Sequence, residues 1–145
     1  MESNTNFSKV KAYRIPIIIA IILGIILFLP AGSLMYWEAW IFWLETFALI
    51  MFFTAYFLKK DPKLLERRSQ FKEKEPQKGI MRVLSFLYLV GYLIPGFDYR
   101  FHWSAVPVWI IFAADAIVFL GYVLIFFVFK ENSYASTIID RKAHV

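Results

Sequence analysis

No charged side chain occurs between Arg14 and Glu38. A helix needs about 20 such residues to cross a hydrocarbon core roughly 30 Å thick. Residues 15–37 meet that length. The stretch Ile15-Pro16-Ile17-Ile18-Ile19-Ala20-Ile21-Ile22-Leu23 is apolar on every face, as a helix in lipid is. Pro16 is placed near the helix start, where its missing N–H costs little, and Pro30, Ala31 and Gly32 kink or end the span. Three further stretches repeat the pattern. Residues 39–58 are rich in aromatics, with Tyr36, Trp37, Trp40 and Trp43 clustered where an interfacial belt belongs, and Lys59 and Lys60 close the far end. Residues 107–129 are interrupted only by Asp115. The remaining stretch is short: residues 83–97 alone separate Arg82 from Asp98, about 22 Å of helix at 1.5 Å per residue. Its span is placed at 80–97, with Arg82 snorkelling to the interface.

Composition agrees with four crossings. The chain has 145 residues, of which 60% are hydrophobic and 19% charged. A soluble domain averages about 45–50% apolar and 25% charged. A globule of this size has too little interior for 16 Phe, 8 Tyr and 5 Trp, so the surplus faces lipid. The fold class is therefore all-α: a polytopic membrane protein with four transmembrane helices in a single membrane domain, residues 1–145. There is no cysteine, which excludes disulfide frameworks, thiolate zinc sites and Cys nucleophiles.

The basic residues orient the spans. Lys9, Lys11 and Arg14 precede the first span, nine more lie between Lys59 and Arg82, and Lys130, Arg141 and Lys142 follow the last. Arg100 is alone on the other side. The positive-inside rule makes the N-terminal arm, the loop 59–79 and the tail 130–145 cytoplasmic, so both termini are cytoplasmic. The net charge of +5 is then explained by anionic lipid headgroups, at about 1 kcal/mol per nearby basic residue, and no nucleic acid is required. A signal peptide is the rival reading of the first span. The patch Ala31-Gly32-Ser33 lacks an A-x-A site, and removing the span breaks the charge alternation.

Several groups are candidates for chemistry. Glu45 lies about two turns into the second span and Asp115 near the middle of the fourth. A charge at bilayer depth costs about 2.5–3.5 kcal/mol and is a functional candidate by default. Two readings stand: the pair relays protons or binds a cation, or each acid hydrogen-bonds a Tyr, Trp or backbone partner inside the bundle. Glu38, nearer the interface, reads as hydrated. Asp61-Pro62-Lys63-Leu64-Leu65-Glu66-Arg67-Arg68 has helix-start grammar, with Asp61 as cap and Pro62 at the first helical position. It reads as a short interfacial helix. Gly96-Phe97-Asp98-Tyr99-Arg100-Phe101-His102-Trp103-Ser104 packs Asp, Arg, His and Ser into one connection. An Asp98–Arg100 pair tying down a tight turn is preferred to a hydrolase triad, whose members come together in space rather than in sequence. His102 reads as an interfacial side chain, since no second His or Cys lies at ligand spacing and no metal is expected. Nucleotide and metalloprotease motifs are absent.

Three segments in order resemble the isoprenylcysteine carboxyl methyltransferase family and its bacterial and archaeal relatives. A DPxLLxER-like stretch follows the second span, carried by Asp61, Pro62, Glu66 and Arg67. A G-x-D-x-R-F-x-W-S-like stretch ends the third, carried by Gly96, Asp98, Arg100, Phe101, Trp103, Ser104 and Pro107. An N-x-[FY]-x-S stretch and a D-R-x-x-H-like turn follow the fourth, carried by Asn132, Tyr134, Ser136, Asp140, Arg141 and His144. The resemblance implies a membrane methyltransferase that uses S-adenosylmethionine on a lipid-like or prenylated substrate at the cytoplasmic face. It implies a further G-P-Y…R-H-P segment, a helical hairpin and a late Glu that hold most of the cofactor site. The chain ends before these. The expectation is thus that it is the N-terminal membrane part, that no catalytic residue lies within it, that His144 alone belongs to the cofactor region, and that it does not bind the cofactor competently by itself. Two alternatives come from other classes. Size, four spans, Glu45 and Asp115 suit a small proton-coupled transporter. The missing segment suits a non-catalytic membrane assembly module.

Overall fold

A computed structural model of the chain describes residues 9–69 and 75–142, with side chains at 9–65 and 79–131. Every element among them is a helix: α1 (Lys9–Ala31), α2 (Trp37–Lys60), α3 (Pro62–Ser69), α4 (Glu75–Phe101) and α5 (Val108–Lys142). Four stretches, Lys9–Ala31, Trp37–Lys60, Gly79–Phe101 and Val108–Glu131, are long and apolar enough to cross a membrane. The chain is a membrane protein with four spanning helices.

The boundaries follow from local chemistry. α1 starts at Lys9, so Pro16 sits two turns inside it rather than at its start. A proline there removes one backbone hydrogen bond, which membrane helices tolerate when neighbours pack on the gap, and Ala12 and Pro16 are both buried. α1 ends at Ala31, six residues before the uncharged run does. Gly32 takes φ +63°, a left-handed conformation, and its N–H reaches back to the carbonyls of Phe28 (3.0 Å) and Leu29 (3.2 Å). That is a glycine C-cap, and it stops the helix where apolarity alone does not. The turn that follows is held by the Trp40 indole N–H, which donates to the Leu34 carbonyl at 2.8 Å.

α2 passes directly into α3. Asp61 accepts from the Leu64 N–H through Oδ1 at 3.1 Å, and Pro62 opens the helix. Leu64 is buried, which fastens α3 to the end of α2.

α4 extends past the anticipated end at residue 97, and Asp98, Tyr99, Arg100 and Phe101 are helical. Its apolar part is about 34 Å long at 1.5 Å per residue, enough for a full crossing. The pairing of Asp98 with Arg100 across a tight turn is thereby overturned, because residues two apart on a helix do not face each other. Asp98 instead accepts from the Ser104 hydroxyl at 2.7 Å. The Arg100 guanidinium lies over Gly32, 3.8 Å from where a Cβ would be. A cation at the C-terminal end of α1 is favoured by the helix macrodipole, which accounts for the lone basic residue on this side.

α5 also outruns its expected limit. The stretch 130–142 is a continuation of the helix rather than a separate tail. Between Gly121 and Lys142 no Gly or Pro interrupts it.

α1 is the central strut, packed on α4 and α2, while α5 leans on α2. Buried core positions are mostly small, Ala12, Ala20, Ala31 and Ala39 among them. Membrane helices approach closely through such residues, because lipid supplies no hydrophobic drive between them. Gly24 admits the Trp43 ring, whose indole N–H donates to the Ala20 carbonyl at 2.8 Å. Gly96 lets α4 touch α1: a Cβ there would lie 2.9 Å from Pro30 Cβ and 3.0 Å from the Leu27 oxygen.

Candidate functional site

Ring contacts fix how α2 and α5 run. Trp37 meets Phe112, Phe53 meets Tyr122, and Phe57 meets Phe129, with centroids 6.3, 6.3 and 6.2 Å apart. The numbers climb together, so the helices are parallel. Phe126 is the hub of this seam and packs against Phe52, Phe53, Tyr56 and Phe57. Two consequences follow, one for each end of the bundle.

At the basic end, α3 leaves α2 just past Phe57, and the polar extension of α5 begins just past Phe129. The Asp61-Pro62…Glu66-Arg67 segment and the Asn132…Asp140-Arg141 segment therefore emerge at the same end of the bundle. The side chains of Glu66, Arg67, Asn132, Asp140 and Arg141, and the whole of His144, lie outside the described residues.

At the opposite end, the N-terminus of α2, the C-terminus of α4 and the start of α5 surround a cavity of about 750 Å³. Tyr36, Glu38, Asp98, Tyr99, His102 and Asp115 form its polar lining. Asp115 is seven residues into α5 and Glu45 eight into α2, both about 10–12 Å along the axis. The two acids stand at one depth, and Asp115 is close enough to act on Glu45 electrostatically. The placement of Asp115 near the middle of its span is corrected accordingly: it lies nearer the loop end.

The carboxylates are poorly served. One oxygen each of Glu38, Glu45 and Asp115 is buried without a hydrogen-bond partner. Glu38, read as hydrated, is half-buried, with only its Oε2 shielded. It lies seven residues before Glu45 on the same face of α2 and lines the cavity together with residues of α5. Tyr36 stacks on Tyr99 with centroids 4.4 Å apart. Burial, and then the negative charges of Glu38 and Asp98, hold the Tyr36 phenol above its ordinary pKa. His102 sits at φ +52°, a left-handed conformation that a non-glycine residue seldom takes. It ends α4 and turns its ring edge-on toward Tyr99. Among the described residues no three of His, Asp and Glu are grouped to hold a metal ion.

Sequence reasoning marked Glu45 and Asp115 but missed Tyr36 and Glu38 as members of a site. The seven-residue spacing of Glu38 and Glu45 was the available clue.

Comparison with protein-family models, with curated proteins and with solved structures finds no match to the chain.

Proposed function

We propose that the chain is the membrane part of an S-adenosylmethionine-dependent methyltransferase acting on a lipid-like or prenylated substrate at the cytoplasmic face. The observation that carries this reading is the parallel course of α2 and α5. It puts two of the three resembling segments, residues 61–68 and 132–142, at one end of the bundle. That end carries most of the basic residues. The third segment has a scaffolding part: Gly96 closes α4 onto α1, Arg100 covers the α1 terminus, and Ser104 ties Asp98.

S-adenosylmethionine supplies an already activated methyl group on its sulfonium. A carboxylate or amine nucleophile takes that methyl and the sulfur keeps the bonding pair. Such a transfer needs positioning more than acid–base help. The chain's share is to hold a membrane-dissolved substrate beside a cofactor that arrives from water. α3, capped by Asp61 and anchored by Leu64, provides a rigid ledge at that boundary. His144, assigned to the cofactor by the resemblance, follows directly after the α5 extension.

The test is transfer of a radiolabelled methyl group from S-adenosylmethionine. The protein as natively expressed in its membranes, together with any sequence that continues past Val145, is supplied with farnesylated cysteine or with total phospholipid. Label entering the organic phase in proportion to the chain is the expected result. Absence of transfer, together with absence of S-adenosylmethionine binding, rejects the reading.

A further inference from the structure

The loop-end cavity is not used by the proposed transfer, which lies at the other end of the bundle. We propose that this cavity is a binding site for an organic cation with an apolar body. Its size falls within the roughly 300–1,000 Å³ typical of small-molecule sites. Ile94, Pro95, Val106, Ile110 and Ile111 give it an apolar wall. Tyr36 and Tyr99 give it a stacked aromatic pair, a surface that attracts cations. Glu38 and Asp115 give it negative charge from two different helices.

The charge is not balanced from within. Among the described residues no Lys or Arg lines the cavity. The Arg100 guanidinium lies over Gly32 on α1. Asp98 is occupied by the Ser104 hydroxyl, whereas Glu38 and Asp115 each keep a buried oxygen without a partner. An apolar anion would meet repulsion here, and a neutral molecule would leave the carboxylates unpaired. A compact inorganic cation would not fill the space, and no set of metal ligands is grouped among the described residues.

Tetraphenylphosphonium and tetraphenylborate are suitable probes, because they match in size and shape and differ in the sign of charge. Binding of each to the full chain in detergent micelles is measured by equilibrium dialysis against empty micelles. Saturable tetraphenylphosphonium binding is expected, at least tenfold tighter than any binding of the borate. Asp115→Asn and Glu38→Gln should each weaken it about tenfold, while Gly79→Ala, at the opposite end of the α4 span where a Cβ meets nothing within 4 Å, should leave it unchanged. Helicity by circular dichroism identifies a variant that has failed to fold, and the comparison of the two probes on the unaltered chain decides the matter in that case. Equal, non-saturable uptake of both probes overturns the proposal. So does full binding by a folded Asp115→Asn. Because neither readout involves methyl transfer, this proposal and the proposed function stand or fall separately.

Discussion

α1 and α5 hold on to the bundle in opposite ways. α1 uses small residues and backbone contact: Gly96 sits against Pro30 and Leu27, and Gly24 leaves room for Trp43. α5 has no buried residue between Val108 and Glu131 and holds on through a row of rings centred on Phe126. The first arrangement is a steric lock with little freedom. The second is a padded seam, and that seam carries Asp115 opposite Glu45 and borders the cavity. In a membrane, close packing supplies most of the attraction between helices. The tight interface therefore sets the frame, and the looser one is where acids and empty volume are tolerated.

Substitutions can break this contrast, starting with the lock. Gly96→Val should destabilise the protein by about 3 kcal/mol, at the upper end for overpacking, because the atoms it meets include backbone. Reversible unfolding in mixed micelles measures it, and a neutral result would show that α1 and α4 are not in backbone contact. Phe126→Ala should cost less, about 2 kcal/mol, the lower end for four ring pairs at roughly 0.5 kcal/mol each, because lipid refills the gap. A loss as large as that of Gly96→Val would erase the distinction between the interfaces. Gly121→Ala should be the mildest, within about 0.5 kcal/mol of neutral. A Cβ there meets nothing within 4 Å, and alanine favours the helix.

The spans were legible because bilayer thickness imposes a length and lipid imposes apolarity, and both are written into consecutive residues. The α3 start was legible for a similar reason, since Asp61 and Pro62 act on their own backbone. Helix ends were harder to read. α1 stops because Gly32 turns left-handed, and α5 continues to Lys142 because nothing in 130–142 stops it. Apolarity reports neither. The site was half legible. Single acids within apolar runs identified Glu45 and Asp115, but their equal depth depends on α2 and α5 running parallel. Glu38, read as hydrated, is half-buried with its Oε2 shielded, and distance from the membrane centre does not report that. Ser104 could be matched to Asp98 only once α4 was known to end at Phe101.

The central claim is that the molecule has two unlike ends, with residues 61–68 and 132–142 sharing one and the acid-lined cavity at the other. The natural chain has no cysteine, so single introduced thiols report without background. Ser69→Cys, Ser136→Cys and Met35→Cys would each be treated with a membrane-impermeant maleimide in sealed, oriented vesicles. The account predicts that positions 69 and 136 label from the same side and position 35 from the other. Labelling of 69 and 136 from opposite sides would contradict it, because α2 and α5 would then not be parallel and the two segments could not meet.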